Sequence, residues 1–190
     1  MAHVIEPALS GRAKCRGCGR PIPKGELRLG ERLPNPFADE GDMTHWFHLD
    51  CAAYKRPEVL LETLPATDAA VEDRERLEEE ARLGVEHRRL PRVDGAQRAP
   101  TGRATCRHCR EKIPKGAWRV RLVYYEDGRF EPSGFVHLSC AREYLGTDAV
   151  LERLRHFSPD LEGTEVAELE EAVRGAAGGG SPPTPESPPS

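Results

Sequence analysis

One cysteine–histidine pattern occurs twice in this chain, and it limits the possible folds more than any other feature. Three blocks recur in the same order: GRAKCRGC at 11–18 and GRATCRHC at 102–109, IPKG at 22–25 and 113–116, and HLDCA at 48–52 and HLSCA at 137–141. Three ordered matches indicate a tandem duplication. The sequence therefore predicts two similar modules rather than one large domain.

Each copy supplies Cys-x2-Cys and, further along, His-x2-Cys. A two-residue gap lets both thiolates of a tight turn reach one ion, and the second pair completes a tetrahedron. Three sulfurs and one nitrogen suit Zn²⁺ in a closed structural site, which leaves no open position for catalysis. We expect two Zn²⁺ ions per chain, held by Cys15, Cys18, His48 and Cys51 in the first copy and by Cys106, Cys109, His137 and Cys140 in the second.

The repeat itself selects the histidine ligands. His48 aligns with His137, whereas His45 aligns with Gly134 and His108 with Gly17. Two alternatives remain, namely reduced cysteines in an apolar core and a Cys-x2-Cys redox pair. Neither alternative needs a His-x2-Cys partner in both copies.

Composition agrees with modules that depend on a metal. Only 37% of the 190 residues are hydrophobic and 32% are charged, with a net charge of −4. Structural zinc contributes roughly 10–16 kcal/mol to small fingers, which compensates for a small core. The N-terminus lacks a signal-peptide pattern, and no apolar run reaches the roughly 18 residues of a membrane span. We therefore expect an intracellular protein, located in the nucleoid or cytoplasm of a bacterium or in the nucleus of a eukaryote.

The secondary-structure pattern predicts small α+β modules, each with a short antiparallel sheet and helices. Strands are expected at 27–33 and 117–125, a short helix follows Pro57, and a second helix spans 68–83 with Gly84 beyond its end. A corresponding helix after Thr164 should end before Gly175. The predicted organisation is a first module at 1–84, a connector at 85–91, a second module at 92–174 and a disordered Gly/Pro/Ser tail at 175–190.

The motifs resemble the poly(ADP-ribose) polymerase-type zinc finger, which also occurs in DNA ligase III. The first copy carries SGRAKC at 10–15, IPK at 22–24 and HWFHLDC at 45–51, and the second carries TGRATC at 101–106, IPK at 113–115 and HLSC at 137–140. The resemblance covers most of 1–84 and 92–174. It implies two tandem fingers that recognise DNA strand breaks without reading base sequence.

The resemblance also implies which side chains would contact DNA. Arg12 and Arg103, in the Gly-Arg-Ala motif, would bind the phosphate backbone, and Arg28 and Arg119 would reach further phosphates. Apolar side chains would cover the base pair that a break exposes. The residues expected there are Phe37 and Met43 in the first finger and Phe130 in the second.

The predicted function is therefore sequence-independent binding of nicks, ends or irregular duplex by a DNA repair accessory factor. We expect no enzymatic activity, no small-molecule substrate and no membrane partner, because the chain shows neither a transferase domain nor a nucleophile–base arrangement outside the metal sites. A flexible connector would let both fingers engage one break. The alternatives are a zinc-stabilised protein-interaction adaptor without DNA affinity and a thiol-based redox protein.

Overall fold

The computed structural model describes residues 2–35, 41–87 and 92–178. Each half of the chain forms a three-stranded antiparallel sheet followed by helices, with strand orders β1-β2-β3 and β4-β5-β6. The two halves thus share one small α+β architecture, as the duplication predicts. No helix in these ranges is both long and apolar enough to cross a membrane.

The first finger consists of three strands and three α-helices with a short 3₁₀ turn. In chain order these are β1 (Val4–Pro7), β2 (Leu27–Pro34), β3 (Asp42–His48), α1 (Leu49–Lys55), α2 (Pro57–Thr63), the 3₁₀ turn (Leu64–Ala66) and α3 (Arg74–Glu86). The β2–β3 ladder pairs Arg28 with His48, which places the end of the sheet beside the metal ligands.

The second finger repeats this order without the 3₁₀ turn. Its elements are β4 (Arg92–Arg98), β5 (Trp118–Glu126), β6 (Arg129–His137), α4 (Leu138–Leu145), α5 (Val150–His156) and α6 (Thr164–Gly178). The β5–β6 ladder pairs Arg119 with His137, as Arg28 pairs with His48 in the first finger. The two expected strands are confirmed as β2 and β5, and the short helix that begins at Pro57 is confirmed as α2.

The predicted bounds of the helix at 68–83 are wrong, because α3 starts at Arg74 and ends at Glu86. The Thr67 hydroxyl accepts a hydrogen bond from the Ala69 amide, which favours a turn at this point over a helix start. Gly84 lies inside the helix rather than beyond it. A Cβ at Gly84 would lie 3.1 Å from Pro57 Cγ, so the glycine allows α3 to approach α2 closely.

The last helix also extends further than expected. It begins at Thr164 itself, which was expected to precede it, and it continues through Gly175 to Gly178. The alanines that follow Gly175 have the highest helix propensity and offset the cost of one glycine. The rest of the expected tail, 179–190, lies outside the described residues.

The buried residues of both fingers form one continuous apolar cluster. Its largest fully buried members include Phe47, Leu29 and Ile22 from the first finger and Val120 and Ile113 from the second. Such a cluster requires the two fingers to pack directly against each other. The two fingers are therefore docked against each other.

Candidate metal centres and the surface between the fingers

The structure brings the eight predicted ligands together in two groups. In each group the four donor atoms all lie within 4.8 Å of one another. The Cys-x2-Cys turn before the second strand of the sheet provides two sulfurs, the end of the third strand provides the histidine, and the helix that follows provides the third sulfur. His45 and His108, which align with glycines in the other copy, belong to neither cluster of metal ligands.

Both histidines turn the same nitrogen toward the sulfurs. His48 Nδ1 lies 3.4 Å from Cys18 Sγ, and its Nε2 lies 3.2 Å from the Pro21 carbonyl oxygen. His137 Nδ1 lies 3.3 Å from Cys109 Sγ, and its Nε2 lies 3.1 Å from the Lys112 carbonyl oxygen. An Nε2–H bond to a backbone carbonyl fixes the tautomer that leaves Nδ1 free to bind a metal.

The surroundings of the sulfurs differ when no metal is bound: hydrogen bonding to Cys15 and Cys18 raises the pKa of Cys51, and burial raises that of Cys140 to about 12, whereas main-chain amides favour a thiolate at Cys106. Main-chain N–H groups of His48 and His137 donate to Cys15 Sγ and Cys106 Sγ, each at 3.3 Å. Burial raises the pKa of Cys106, but hydrogen bonds from main-chain amides outweigh it and lower the pKa to about 7. Hydrogen bonding to Cys15 and Cys18 raises the pKa of His48 to about 10 when no metal competes for its nitrogen.

This donor set fits zinc. Three thiolates and one imidazole in a compact, closed group are the ligands of a structural Zn²⁺ site, and each histidine has the outer hydrogen bond that such sites use. Four protein ligands leave no open position for a reacting water. The chain therefore has two structural zinc centres, one in each finger.

The first centre is more enclosed than the second. Cys51 is fully buried, whereas Cys109 is exposed. Two side chains outside the ligand set face the sulfurs of the first centre: Arg20 Nε donates to Cys18 Sγ at 3.4 Å, and His156 Nε2 lies 3.0 Å from Cys51 Sγ. Sequence reasoning missed both residues. A signal existed only for Arg20, because the repeat has Glu111 at the matching position.

The arginines of the Gly-Arg-Ala motif are exposed in both fingers. Arg12 and Arg103 occupy matching positions three residues before the first cysteine of each centre. Within the described part of the chain, neither guanidinium group has an ion-pair or hydrogen-bond partner. Both charges are thus free to meet an external anion.

Arg28 and Arg119 are placed differently. Both are buried, and each guanidinium lies flat on an aromatic ring: Arg28 Cζ is 3.4 Å from the centre of Trp46, and Arg119 Cζ is 3.4 Å from that of Phe135. Arg28 is also paired with Glu6 at 2.8 Å. These contacts restrict both side chains and leave only small parts of them at the surface.

The residues predicted to stack on bases also have different surroundings. Phe37 lies outside the described residues. Met43 is half-buried in β3, next to the turn of the β5–β6 hairpin at Gly128. Phe130 is not at an open surface, because its ring packs against Phe47 of the first finger and Tyr125 of its own.

A buried lysine marks the surface between the fingers. Lys55 Nζ, at the end of α1, lies 2.6 Å from the Asp94 carboxylate on β4 and donates to the Gly17 carbonyl oxygen at 2.7 Å. The same ammonium lies 4.2 Å from the centre of the Phe157 ring and 5.0 Å from that of Phe130. A cation from one finger is therefore enclosed by a carboxylate and two aromatic rings of the other.

A second polar contact joins the two sheets. The Tyr125 hydroxyl donates to a carboxylate oxygen of Glu31 at 3.3 Å and lies 3.0 Å from His45 Nδ1. Arg56 pairs with Glu31 and stacks on the Tyr125 ring at 4.0 Å. Burial lowers the pKa of His45 and raises that of Tyr125, so both stay neutral near pH 7.

Positions at which the two copies carry different residue types could have indicated this contact surface from the sequence. Glu31, Lys55 and Arg56 align with Leu122, Tyr144 and Leu145 in the second copy. Charged side chains in one copy where the other has uncharged ones indicate a contact that the copies do not share. The contact is thus head-to-tail rather than symmetric.

Comparison with known proteins gives the first finger a family match. Residues 6–88 match the model described as "Poly(ADP-ribose) polymerase and DNA-Ligase Zn-finger region". The chain is 31% identical over 160 residues to "Poly [ADP-ribose] polymerase 1" of Gallus gallus, covering 70% of this chain and 15% of the relative. It is 29% identical over 152 residues to the protein of that name from Oryza sativa subsp. japonica, covering 75% and 14%. The chain thus spans about 15% of the length of such curated relatives.

Proposed function

We propose that this chain, whose residues 6–88 are a zinc finger of the poly(ADP-ribose) polymerase and DNA ligase type, binds strand breaks and ends of DNA through both of its zinc-stabilised fingers. The proposal extends the family assignment of the first finger to the second. It is supported by the second cluster of three cysteines and one histidine and by alignments that cover about 70% of the chain.

The exposed arginine beside each zinc centre is the observation that carries this proposal. Arg12 and Arg103 are free of partners among the described residues and lie in turns that continue into the metal ligands. Phosphate groups are the natural partners of exposed guanidinium groups, and such contacts position a protein on DNA without reading its sequence. The zinc ions would contribute by holding these turns in place.

Break recognition would come from Phe37, between β2 and β3 in the sequence, and from Met43, near the start of β3. In this proposal Phe37 and Met43 cover the base pair that a break exposes, as the family resemblance implies. A base stacked on an aromatic ring contributes about 1–3 kcal/mol and tolerates any sequence. A closed duplex offers no such surface, so this contact would distinguish broken from intact DNA.

The other predicted contacts take smaller roles. Arg28 and Arg119 are buried against Trp46 and Phe135, so their replacement should affect folding more than affinity. Phe130 packs between the fingers, where its first effect would be on docking. We propose that all three support DNA binding indirectly, through folding and docking, and we place the main affinity on Arg12 and Arg103.

We further propose that the chain is a non-enzymatic accessory factor in DNA repair. The relatives are named as polymerases, but the chain matches only about 15% of their length, and the family match lies in their zinc-finger region. The relatives named above come from eukaryotes, so the proposal goes with an intracellular and, in a eukaryotic cell, nuclear location.

The decisive experiment is a competition among nicked, gapped, blunt-ended and covalently closed circular DNA for the zinc-loaded protein. We expect the three broken forms to compete well and the closed circle to compete poorly. The Arg12→Ala, Arg103→Ala double variant should weaken binding to all broken forms while keeping two zinc ions. Arg82→Ala, which removes an exposed arginine from α3, is the matched control. If the zinc-loaded protein bound none of the four DNA forms, the result would instead favour the protein-interaction adaptor.

A further inference from the structure

We propose that His156 of the second finger is a positioning residue for the zinc centre of the first finger. Its Nε2–H donates to the thiolate of Cys51, so that retention of the first zinc ion depends on the docked second finger. This inference concerns the metal centres and does not depend on DNA binding.

The contact is direct and comes from a distant part of the chain. His156 is the last residue of α5, and its Nε2 lies 3.0 Å from Cys51 Sγ, whereas the donor atoms of the cluster itself are Cys15, Cys18, His48 and Cys51. His156 is thus an outer partner rather than a fifth ligand. The ring is held by Tyr54 of the first finger, with ring centres 5.4 Å apart, and by the neighbouring Phe157.

Arg20 ties the same helix to a second sulfur. Its Nε donates to Cys18 Sγ at 3.4 Å, and its other donor reaches the carbonyl oxygen of His156 at 3.3 Å. The end of α5 therefore contacts the first centre twice, once through the His156 ring and once through Arg20. Movement of α5 away from the first finger would remove both contacts.

The second centre has a different environment. Glu111 replaces Arg20 at the matching position, and Cys109 is exposed. No side chain of the first finger donates to Cys106, Cys109 or Cys140 in the described ranges. The support that the second finger gives to the first centre is thus not returned.

The physical effect follows from charge. Three thiolates and one Zn²⁺ carry a net charge of −1, which hydrogen-bond donors to the sulfurs stabilise. Loss of such an outer partner typically weakens metal binding by about 10- to 100-fold. Because the coupling is reciprocal, loading of the first centre should also strengthen docking of the second finger.

The test is zinc release from the full-length, zinc-loaded protein into an excess of chelator that reports zinc by absorbance. We expect two phases of one equivalent each in the wild type. His156→Phe keeps an aromatic ring but removes the donor, and it should accelerate one equivalent by about 10- to 100-fold. In cadmium-substituted protein, correlation of ¹¹³Cd with the ring protons of His48 or His137 identifies the affected centre, which should be the first.

Three further variants separate the hydrogen bond from packing. His156→Gln retains an N–H donor and should restore most of the slow release. Arg20→Gln removes the guanidinium donor without changing α5, and it should accelerate the same centre. His108→Phe is the matched control, because the His108 ring faces Glu143 and not a sulfur, and it should leave both phases unchanged.

Several outcomes would overturn the proposal. Unchanged release from the first centre in His156→Phe and Arg20→Gln would show that the contacts have no effect on zinc. Equal acceleration of both centres would indicate general loosening of the fold. A His156→Gln variant no better than His156→Phe would assign the effect to packing. None of these outcomes bears on the proposed binding of DNA.

Discussion

The Lys55 ammonium of the first finger lies 2.6 Å from the Asp94 carboxylate of the second, and only 1% of the lysine side chain is exposed. A buried lysine is tolerated only when its charge is paired and its protons are accepted. Asp94 and the Gly17 carbonyl oxygen meet this requirement together. The arrangement exists only while the fingers are docked, so it favours one fixed orientation of the pair.

Removing one partner of this contact should loosen the docked pair. Asp94→Asn leaves the Lys55 charge buried without a counter-charge, and we expect the free energy of unfolding to fall by about 2 kcal/mol, less than for a fully buried pair because Asp94 is partly exposed. Urea titration followed by circular dichroism measures the change. Arg82→Met, in an exposed pair with Glu78, should cost less than about 0.5 kcal/mol. Equal losses in both variants would contradict the role of Lys55.

Zinc removal should unfold both fingers. The purified protein should contain two zinc ions per chain, and chelation should abolish the cooperative unfolding transition, because the apolar core is small and metal binding supplies folding free energy. Elemental analysis and thermal denaturation provide the measurements, with zinc re-addition as the control. A metal-free chain with an unchanged melting temperature would rule out structural zinc.

Arg110 offers a site for stabilisation. It has a φ of +69°, in the left-handed region, where the first finger has Gly19 with a φ of +75°. Because a Cβ is unfavourable in this conformation, Arg110→Gly should raise the free energy of unfolding by about 1 kcal/mol. Gly19→Ala should lower it by a similar amount. Thermal denaturation of the zinc-loaded proteins tests both, and a destabilised Arg110→Gly protein would speak against backbone strain.

His45 should make stability depend on pH. Burial lowers its pKa below the ordinary 6.5, so the folded state holds the neutral ring while the unfolded state gains a proton below pH 6.5. The stabilisation from His45 is thus complete above pH 6.5 and is lost as the pH falls toward the lowered value. The difference in unfolding free energy between wild type and His45→Gln should shrink between pH 7 and pH 5. A constant difference would mean that the pKa is not lowered.

Base stacking gives a prediction that separates ends from closed duplex. Phe37→Ala and Met43→Ala should each weaken binding to blunt or nicked DNA while leaving the weak binding to closed circles unchanged, because only a break exposes a base pair. Fluorescence anisotropy with end-labelled duplexes, and circles as competitors, measures both. Thr44→Ala, adjacent to Met43 on β3, is the control. An equal loss for both DNA forms would exclude a stacking role.

Most of the metal ligands could be predicted from the repeat. Because the two copies can be aligned, the sequence alone favours His48 over His45 as a ligand, and the structure groups His48 with the cysteines. Strands β2 and β5 followed from local alternation of apolar residues. The start of α3 could not be predicted in this way. The local sequence pattern there is compatible with both a helix and a turn, and the hydrogen bond from the Ala69 amide to the Thr67 hydroxyl favours the turn.

The order of residues along the chain thus determined the two zinc centres, the α+β class and the exposed Gly-Arg-Ala arginines, since each depends on short spacings or on comparison of the two copies. Only the tertiary structure decided that the fingers dock, that Lys55 meets Asp94 and that His156 reaches Cys51. His156 and Cys51 are separated by 105 residues along the chain. Local spacing carries no information about such a pair, because the packing of whole elements sets their distance.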